Sequence, residues 1–349
     1  MIARSHKPGV RPASLRVALF AATLALGFAS GEAAAQGVAE FYKGKTVNVL
    51  IGVGVGGEYD LHARLVGRFI GRHIPGNPAI VPQNMVGAGG LKMANYLYGV
   101  AAKDGTNMGM MSNTLPMLQA TEAPGLQLDA AKFNWIGSIA PTVETMAVWH
   151  TAPVKSVEDA RKTEVVVGAT GKGAITYTFP IAMNELLGTK FKVVVGYDGG
   201  TAINLAMERG EVQARDNTWS SWKVTKADWL RDKKIVVIAY AGPKPKDLDG
   251  VPSLNELAKN DDDRKVLELI NSGTEFGRPL ALTPDVPADR VQAVRAAFMA
   301  TMADKDFLAE AAKLNIEVEP VRGDYLQDLA KRLVDLPKPL AMRAKAIVE

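Results

Sequence analysis

The sequence predicts an α/β protein of two lobes with a hinged cleft between them. A short apolar strand, a glycine loop and a helix follow one another twice, at 47–64 and at 164–177. Strands that alternate with helices in this way favour parallel sheets covered by helices. A chain of 349 residues is also longer than most single domains, which favours two lobes.

The first lobe is predicted to alternate three strands with two helices, because apolar runs and helical periodicity are separated by glycine and turn residues. In chain order these are a strand at Val47–Val53, a helix at Asp60–Arg72, a strand at Ala79–Gln83, a helix at Leu91–Ala101 and a strand at Asn107–Met111.

The second lobe is predicted from the same alternation. Its elements are a strand at Val165–Ala169, a helix near Ile175–Leu187, a strand at Lys192–Val195, a helix at Thr201–Arg209, a short strand after Glu211 and a strand at Ile235–Tyr240.

The helical patterns beyond Pro243 and Pro245 are expected to return and brace the first lobe. They cover Asp262–Asn271, Ala288–Met302, Asp306–Leu314 and Tyr325–Leu333. This organisation predicts a first lobe of residues 36–140 plus 245–349, a second lobe of residues 141–244, and two crossings between them.

The first 35 residues have the pattern of an export signal. Four basic residues precede the apolar run 17–29, which three alanines follow at 33–35. We expect cleavage near Ala35 and a periplasmic mature protein of about 314 residues; the alternative is an uncleaved N-terminal anchor. The mature chain would carry 37 basic and 36 acidic residues, a net charge of about +1. No dense basic stripe remains, so we expect no nucleic-acid partner.

The residue types exclude several kinds of chemistry. The chain has no cysteine, so disulfides, thiolate catalysis and Cys-ligated zinc are absent. Its four histidines form no ligand-spaced cluster, and neither a G-x-S-x-G elbow nor an H-E-x-x-H motif occurs. We therefore expect no metal, no cofactor and no catalytic set, and a protein that is not an enzyme.

The loop after the first strand has the design of an anion site. Gly52, Gly54 and Gly57 let a ligand approach the backbone, and the following helix points the positive end of its dipole at the ligand. The same spacing satisfies the dinucleotide pattern G-x-G-x-x-G, which also needs an acidic residue about 20 positions further on. No Asp or Glu occurs between Leu61 and Lys103, which disfavours a nucleotide enzyme.

Two further features leave alternatives open. Trp219 follows a polar strand and is either a platform for a ligand or part of the packing. Arg215 and Asp216 are either a mutual ion pair or a clamp for a ligand.

The motifs of both halves resemble those of the periplasmic solute-binding proteins of tripartite tricarboxylate transporters, the Bug family. The motifs are F-Y-K-G-K-T at 41–46, G-G-E-Y-D-L-H-A-R at 56–64, Q-N-M-V-G-A-G-G at 83–90, K-D-G-T at 103–106, G-A-T-G-K-G at 168–173, Y-D-G-G-T-A at 197–202, V-P-S-L-N-E-L at 251–257 and P-A-D-R-V-Q-A-V-R-A-A-F at 287–298. They keep the family's order over the whole mature chain.

The resemblance implies a monomeric two-lobed receptor that closes on a small organic acid and delivers it to integral-membrane transporter subunits. Carried over by motif, the ligand-binding residues are Gly56, Gly57, Asp60, Gly87, Ala88, Gly89, Thr170, Gly171, Ala174, Thr176, Tyr197, Gly199 and Gly200. The residues themselves place Asp60 as a cap of its own helix, because a second negative charge beside an anion is unfavourable.

Glu58 and Tyr59 depart from the small residues that many family members carry in this loop. A carboxylate at this position repels an anionic ligand unless it points away or meets a hydroxyl, an amine or a cation. Lys172 in the second-lobe loop could compensate by pairing with the anion. The leading hypothesis is a receptor for an organic carboxylate. The alternatives are a receptor for a neutral or cationic solute selected by Glu58, and an exported enzyme that uses the cleft.

Overall fold

The computed structural model describes residues 1–2 and 36–348. The predicted export signal therefore lies outside the described residues, apart from its first two positions. A helix, α1, covers residues 36–42.

The strands form two separate sheets, one of six strands and one of five. The first sheet has the order β11-β4-β10-β3-β1-β2, and the second has the order β7-β6-β8-β5-β9. The strands are β1 (Thr46–Ile51), β2 (Ala79–Asn84), β3 (Asn107–Met110), β4 (Asn134–Ser138), β5 (Glu144–Trp149), β6 (Val165–Ala169), β7 (Phe191–Val195), β8 (Ala214–Thr218), β9 (Ile235–Ala241), β10 (Pro279–Leu282) and β11 (Val321–Arg322).

Helices connect and cover these strands. They are α2 (Glu58–Ile70), α3 (Leu91–Gly99), α4 (Leu115–Ala120), α5 (Val157–Lys162), α6 (Ile175–Ala182), α7 (Gly200–Glu208), α8 (Trp219–Thr225), α9 (Ala227–Arg231), α10 (Leu254–Leu257), α11 (Asp261–Ile270), α12 (Gly273–Phe276), α13 (Ala288–Met302), α14 (Lys305–Lys313), α15 (Gly323–Val334) and α16 (Lys338–Val348). A π-helical turn at Met183–Leu187 prolongs α6. The α/β fold class is confirmed, and each predicted strand and helix is present within a few residues of its expected bounds.

The sheets are mixed, whereas the sequence predicted parallel ones. β1 runs parallel to β2 and β3, and β6 runs parallel to β7 and β8. β10 in the first sheet and β5 in the second run antiparallel to both of their neighbours. Each is the first strand after the chain has crossed from the other sheet. Because the chain crosses at the edge where the parallel strands end, the strand that follows must run away from that edge.

The two crossings lie side by side. The Thr142 N–H, between β4 and β5, donates a 2.8 Å hydrogen bond to the carbonyl of Thr274, between β9 and β10. Gly242 has φ +103, and a Cβ there would lie 2.8 Å from the Thr142 carbonyl oxygen. Only glycine therefore fits where the second crossing leaves β9.

The C-terminal helices divide between the two sheets. α13 and α15 pack on β4, and α14 packs on α2, as the sequence predicted for helices that brace the first lobe. α11 differs from that expectation, because it contacts α6 of the second lobe and the C-terminal helix α16, which also contacts α6. The residue bounds of the lobes stay a prediction.

Neither a membrane span nor a metal cluster is found in the part of the chain that the structure describes. None of the helices there combines the length and apolar character needed to cross a bilayer. No three acidic or histidine side chains there are grouped to hold a metal ion.

Candidate functional site

The cleft lies at the edge of both sheets where the parallel strands end. Gly52 follows β1, Thr170 follows β6 and Thr218 ends β8, and all three line one cavity. The reversed strands β5 and β10 begin at this edge and bring Glu144 and Arg278 to the same cavity. Open α/β sheets bind their ligands at this edge.

The cavity is enclosed by both lobes and is small. It offers about 80 Å³ to the centres of water-sized molecules. One water needs about 10–15 Å³ on this scale, so there is room for several waters or one small organic molecule.

Three helices begin at the cavity wall. The N-cap residues of α2, α6 and α7 are Gly57, Ala174 and Gly199. Within residues 36–348, none of these three N-caps contributes a side-chain hydrogen bond to its helix. The first N–H groups of a helix have no partner inside it, and its dipole is positive at this end. Three such ends around one cavity favour an anionic group.

The glycine loops also bring the two lobes into direct contact. The Gly54 N–H donates a 2.9 Å hydrogen bond to the carbonyl of Asp198. On the other side of the cleft, a Cβ on Gly89 would lie 3.0 Å from Ala174, and one on Gly171 would lie 2.8 Å from the Gly89 nitrogen. We call these two places the glycine contacts. They show a closed cleft in which the missing side chains allow backbone to meet backbone.

Glu58 links three segments beneath the cavity. Its Oε2 accepts hydrogen bonds from Arg278, at 2.5 Å, and from Thr218, and its Oε1 accepts one from Ser220 at 2.5 Å. Burial by itself would raise the pKa of Glu58, but Arg278 and the two hydroxyls outweigh burial and lower the pKa to about 2. The carboxylate is thus ionised and fully occupied, and it joins α2 of the first lobe to the end of β8 of the second.

Arg215 is buried, and its guanidinium is occupied by neutral acceptors. It donates to the carbonyl of Gly200 at 2.8 Å and to the side-chain oxygens of Asn204 and Asn217 at 2.8 and 2.9 Å. Burial lowers its pKa to about 10. Arg215 therefore holds the start of α7 against β8.

Two further carboxyl groups lie on the cavity wall. Asp216 is 0 % exposed and Glu144 is 1 % exposed. β5 pairs antiparallel with β8 so that Met146 faces Asp216 and Glu144 faces Thr218, which puts the two carboxyl side chains on one face of the sheet. We call Glu58, Glu144, Arg215, Asp216 and Arg278 the charged floor.

The cavity is lined by ten of the residues that the sequence predicted to bind the ligand. They are Gly56, Gly57, Glu58, Tyr59, Gly89, Thr170, Ala174, Thr176, Gly200 and Asp216. Gly87, Ala88 and Tyr197 line an adjoining opening that shares Gly89 and Thr170 with the cavity. These positions support the predicted site, and ligand contact by each residue stays a prediction.

The remaining predicted residues lie off the cavity. Gly171 and Gly199 belong to the glycine contacts. Lys172 lies beside a separate cavity, with its ammonium 5.9 Å from the centre of the Tyr177 ring. Trp219, the first residue of α8, donates from its indole N–H to Asp247 at 2.7 Å in an exposed contact.

One local expectation is wrong, and one of the two alternatives for Arg215 and Asp216 is excluded. Asp60 does not cap its own helix, since its carboxylate accepts from the N–H of Gly56 in the preceding loop and from Arg64 and Asn84. Arg215 and Asp216 form no ion pair, because consecutive residues of a strand point to opposite faces of the sheet.

Sequence reasoning missed Glu144, Arg278 and Asn113. Asn113 donates to Glu144 at 3.4 Å, and its N–H donates to the Tyr59 hydroxyl at 3.3 Å. Glu144 and Arg278 stand at the starts of the two reversed strands, neither of which was predicted. The available signal was a single charge directly before a short apolar run, at E-T-M-A-V-W and at R-P-L-A-L.

The two sheets, the two crossings and the enclosed cavity between them define the fold of the two-lobed solute-binding proteins. The chain is similar in structure to the periplasmic binding protein BugD, with a TM-score of 0.69 and 18 % identity over 88 % of this chain and 99 % of that one. It is also similar to MatC of Rhodopseudomonas palustris with bound malate, with a TM-score of 0.65 and 20 % identity over 87 % of this chain and 99 % of that one.

A third similar structure is Rpa4515 of R. palustris with adipate, at a TM-score of 0.66 and 16 % identity over 87 % of this chain and 98 % of that one. No protein-family model and no curated protein matches the sequence. At these identities the likeness is one of fold, and the predicted two-lobed periplasmic-binding-protein architecture is confirmed.

Proposed function

We propose that this chain is a periplasmic receptor that captures a small organic carboxylate between its lobes and delivers it to a tripartite tricarboxylate-type membrane transporter. The observation that carries the proposal is the meeting of three helix N-termini without side-chain caps at one cavity that both lobes enclose. Adipate and malate, named with two of the similar structures, are small carboxylates and support the same class of ligand.

Capture begins with the backbone. A carboxylate oxygen accepts hydrogen bonds from the free N–H groups at the start of α2, α6 or α7, and the helix dipoles favour its charge. Since α2 belongs to the first lobe and the other two helices to the second, a ligand that reaches both sides makes its full set of contacts only when the cleft is closed. Binding therefore shifts the population towards the closed form.

The closed form has contacts of its own that do not involve the ligand. Gly54 bonds to Asp198, and Glu58 bonds to Thr218 and Ser220, across the cleft. These interactions lower the cost of closure, so a small ligand needs to supply only part of the free energy. The closed surface is then the one offered to the membrane subunits of the transporter.

A binding role fits the cavity better than a catalytic one. The buried histidine nearest the charged floor, His62, has both ring nitrogens without a hydrogen-bond partner among the described residues, so it does not activate a hydroxyl there. Burial lowers the pKa of His62 to about 4, which keeps the ring neutral at physiological pH. The similar structures carry the names of binding proteins. We therefore propose capture without turnover.

Calorimetric titration of the purified mature protein with a panel of mono-, di- and tricarboxylates tests this function. At least one member, such as malate or adipate, should bind at micromolar concentration or tighter and remain chemically unchanged on recovery. Failure of every carboxylate to bind contradicts the receptor proposal, and conversion of a bound compound supports the alternative of an exported enzyme. Uptake of the bound acid by cells that lack the chain should fall to background and return when the chain is restored.

A further inference from the structure

Asp216 is the least satisfied polar side chain on the cavity wall. It lies in the middle of β8, is 0 % exposed, and neither carboxyl oxygen has a hydrogen-bond partner among the described residues. A buried carboxylate without a partner costs several kcal/mol, so such groups are normally paired or absent. A costly group retained at the wall of a ligand cavity points to a partner that arrives with the ligand.

The neighbouring carboxyl group of Glu144 is also poorly supplied with hydrogen-bond donors. Its hydrogen bonds are long, at 3.4 Å from Asn113 and 3.5 Å from Thr142. Burial raises the pKa of Glu144 to about 7, against the opposing effect of Arg278, and burial together with Glu144 raises the pKa of Asp216. The two acids thus lie on one face of the β5–β8 pair without enough positive charge nearby to keep both ionised.

The arginines of the charged floor do not supply the missing charge. Arg278 pairs with Glu58 at 2.5 Å, and Arg215 is held by Gly200, Asn204 and Asn217. In the described part of the chain, neither guanidinium comes within 4.0 Å of an Asp216 oxygen. Asp216 and Glu144 therefore face the cavity with acceptor capacity that the protein leaves unused.

We propose that Asp216 and Glu144 form a subsite for a protonated amine, so that the ligand of this receptor is an aminocarboxylate. This inference rests on the proposed receptor function and deepens it. The carboxylate of the ligand binds at the N-termini of α2, α6 and α7, and its ammonium binds to Asp216 and Glu144 of the charged floor. The ammonium has three donors and one positive charge, which match two carboxyl groups that lack both.

The other unpaired polar atoms on the wall fit a ligand with groups of both kinds. Asn113 Oδ1 is an acceptor, whereas Asn217 Nδ2 and Arg278 Nε are donors, and all three are buried without a partner within residues 36–348. A ligand that carried carboxylates alone would satisfy the donors but would leave Asp216 without a partner. It would also add negative charge beside this buried acid, which is unfavourable. A zwitterion satisfies both sets.

Matched ligand pairs test the subsite directly. Affinities are measured by calorimetry for aspartate against succinate, glutamate against glutarate, 4-aminobutyrate against butyrate and phenylalanine against 3-phenylpropionate. At least one amino compound should bind at least tenfold more tightly than its match. Asp216→Asn should remove most of that preference by weakening the binding of the amino compound at least fivefold, and it should not weaken the binding of the compound without the amine.

Two further measurements separate ligand recognition from folding. Asp216→Asn should raise the Tm of the ligand-free protein by a few degrees, since it removes an unpaired buried acid. The matched control is Asp263→Asn, because Asp263 is similarly buried at 6 % exposed but is bonded to Asn260 and Arg343. This control should lower Tm and leave the amine preference intact. Glu144→Gln provides a second variant and should weaken the preference if Asp216→Asn does not fold.

The outcomes distinguish this inference from the receptor function. If the compounds without an amine bind as well as or better than their matches, the receptor function stands and the amine subsite is wrong. A preference for malate over both succinate and aspartate also overturns it, in favour of a hydroxyl held by protonated acids. If alkylamines bind through Asp216 and no carboxylate binds, the subsite stands and the carboxylate receptor fails. Absence of binding by every compound contradicts both.

Discussion

The glycine contacts and the charged floor enclose the same cavity by opposite means. At the glycine contacts the lobes meet through uncharged backbone, and Gly54, Gly89 and Gly171 matter because they lack a side chain. The charged floor is built from five buried titratable side chains, and neither carboxyl oxygen of Asp216 has a hydrogen-bond partner among the described residues. The comparison teaches that the lobes meet through two different kinds of chemistry around one cavity. Backbone geometry permits closure, whereas buried charge determines what the closed cavity accepts.

The largest effect is expected from breaking the ion pair of the floor. Arg278→Met leaves Glu58 ionised, buried and deprived of its main partner, so the free energy of unfolding should fall by about 3–5 kcal/mol. Urea denaturation of the ligand-free protein measures this loss. The double variant Glu58→Gln/Arg278→Met should recover a large part of it, since the remaining charge is gone.

The control for that prediction is the exposed pair of Lys103 and Asp285, whose nitrogen and oxygen lie 2.8 Å apart. Lys103→Met should change the free energy of unfolding by less than about 1 kcal/mol. A loss from Lys103→Met as large as that from Arg278→Met would mean that burial is not what makes the floor pair strong.

A side chain at a glycine contact should affect binding more than stability. Gly171→Ala places a Cβ 2.8 Å from the Gly89 nitrogen and 3.1 Å from the Ala88 carbonyl carbon, so the lobes cannot close fully. We expect a loss of affinity of about 10- to 100-fold for the best carboxylate of the panel, equivalent to roughly 1.4–2.7 kcal/mol. Calorimetry measures the affinity, and small-angle scattering should show a smaller compaction on binding.

Gly99→Ala is the matched control, because a Cβ there meets no atom within 4 Å. It should leave affinity unchanged and slightly favour its helix. Equal losses of affinity from both substitutions would show that the glycine contacts have no special role in closure.

The floor should also give the protein a particular pH dependence. Burial raises the pKa of Glu144 to about 7 from an ordinary value of 4.5, so between these values the folded protein keeps a proton that the unfolded chain has released. That stability is complete below about pH 4.5 and is lost as the pH rises through 7. Glu144→Gln has no such proton to lose, so it should gain roughly 1–3 kcal/mol relative to the unsubstituted protein between pH 5 and pH 8.

Only the difference between the two proteins isolates Glu144. The lowered pKa of His62 gives a dependence of opposite sign in an overlapping range, from about 6.5 down to about 4. Urea denaturation of both proteins at several pH values provides the difference. A difference that stays constant from pH 5 to pH 8 would show that Glu144 is already ionised in the folded protein.

The smallest effect is expected at Lys172, which the sequence placed opposite the anion. Its ammonium lies near the Tyr177 ring and beside a cavity other than the one that the three helix N-termini line. Lys172→Ala should therefore change carboxylate affinity by less than about twofold, as measured by the same calorimetry. A tenfold loss of affinity would indicate that the anion binds closer to the second-lobe loop at 168–173.

The glycine loops could be predicted from the sequence, but the interactions that assemble the charged floor could not. Gly54, Gly57 and Gly89 lie in strand-loop-helix patterns whose period and turn residues are local, so their positions follow from short-range chemistry. Arg278 meets Glu58 across 220 positions of the chain. That meeting depends on β10 entering the first sheet in reverse, which no local pattern encodes. Asp216 was identified, but its isolation from Arg215 follows from the strand pleat once β8 is in place.

The reversed strands have a consequence for how the proposed receptor could change its ligand. Glu144 begins β5 and Arg278 immediately precedes β10, so the residues that set the polarity of the cavity are also those with which the chain enters each lobe. A substitution that adapts the cavity to a new solute at these positions therefore also alters the joint about which the lobes turn. Changes of specificity at these two positions are therefore coupled to changes in the angle of closure. Substitutions that change the ligand without changing this angle are expected at positions such as Asp216, which lie away from the crossings.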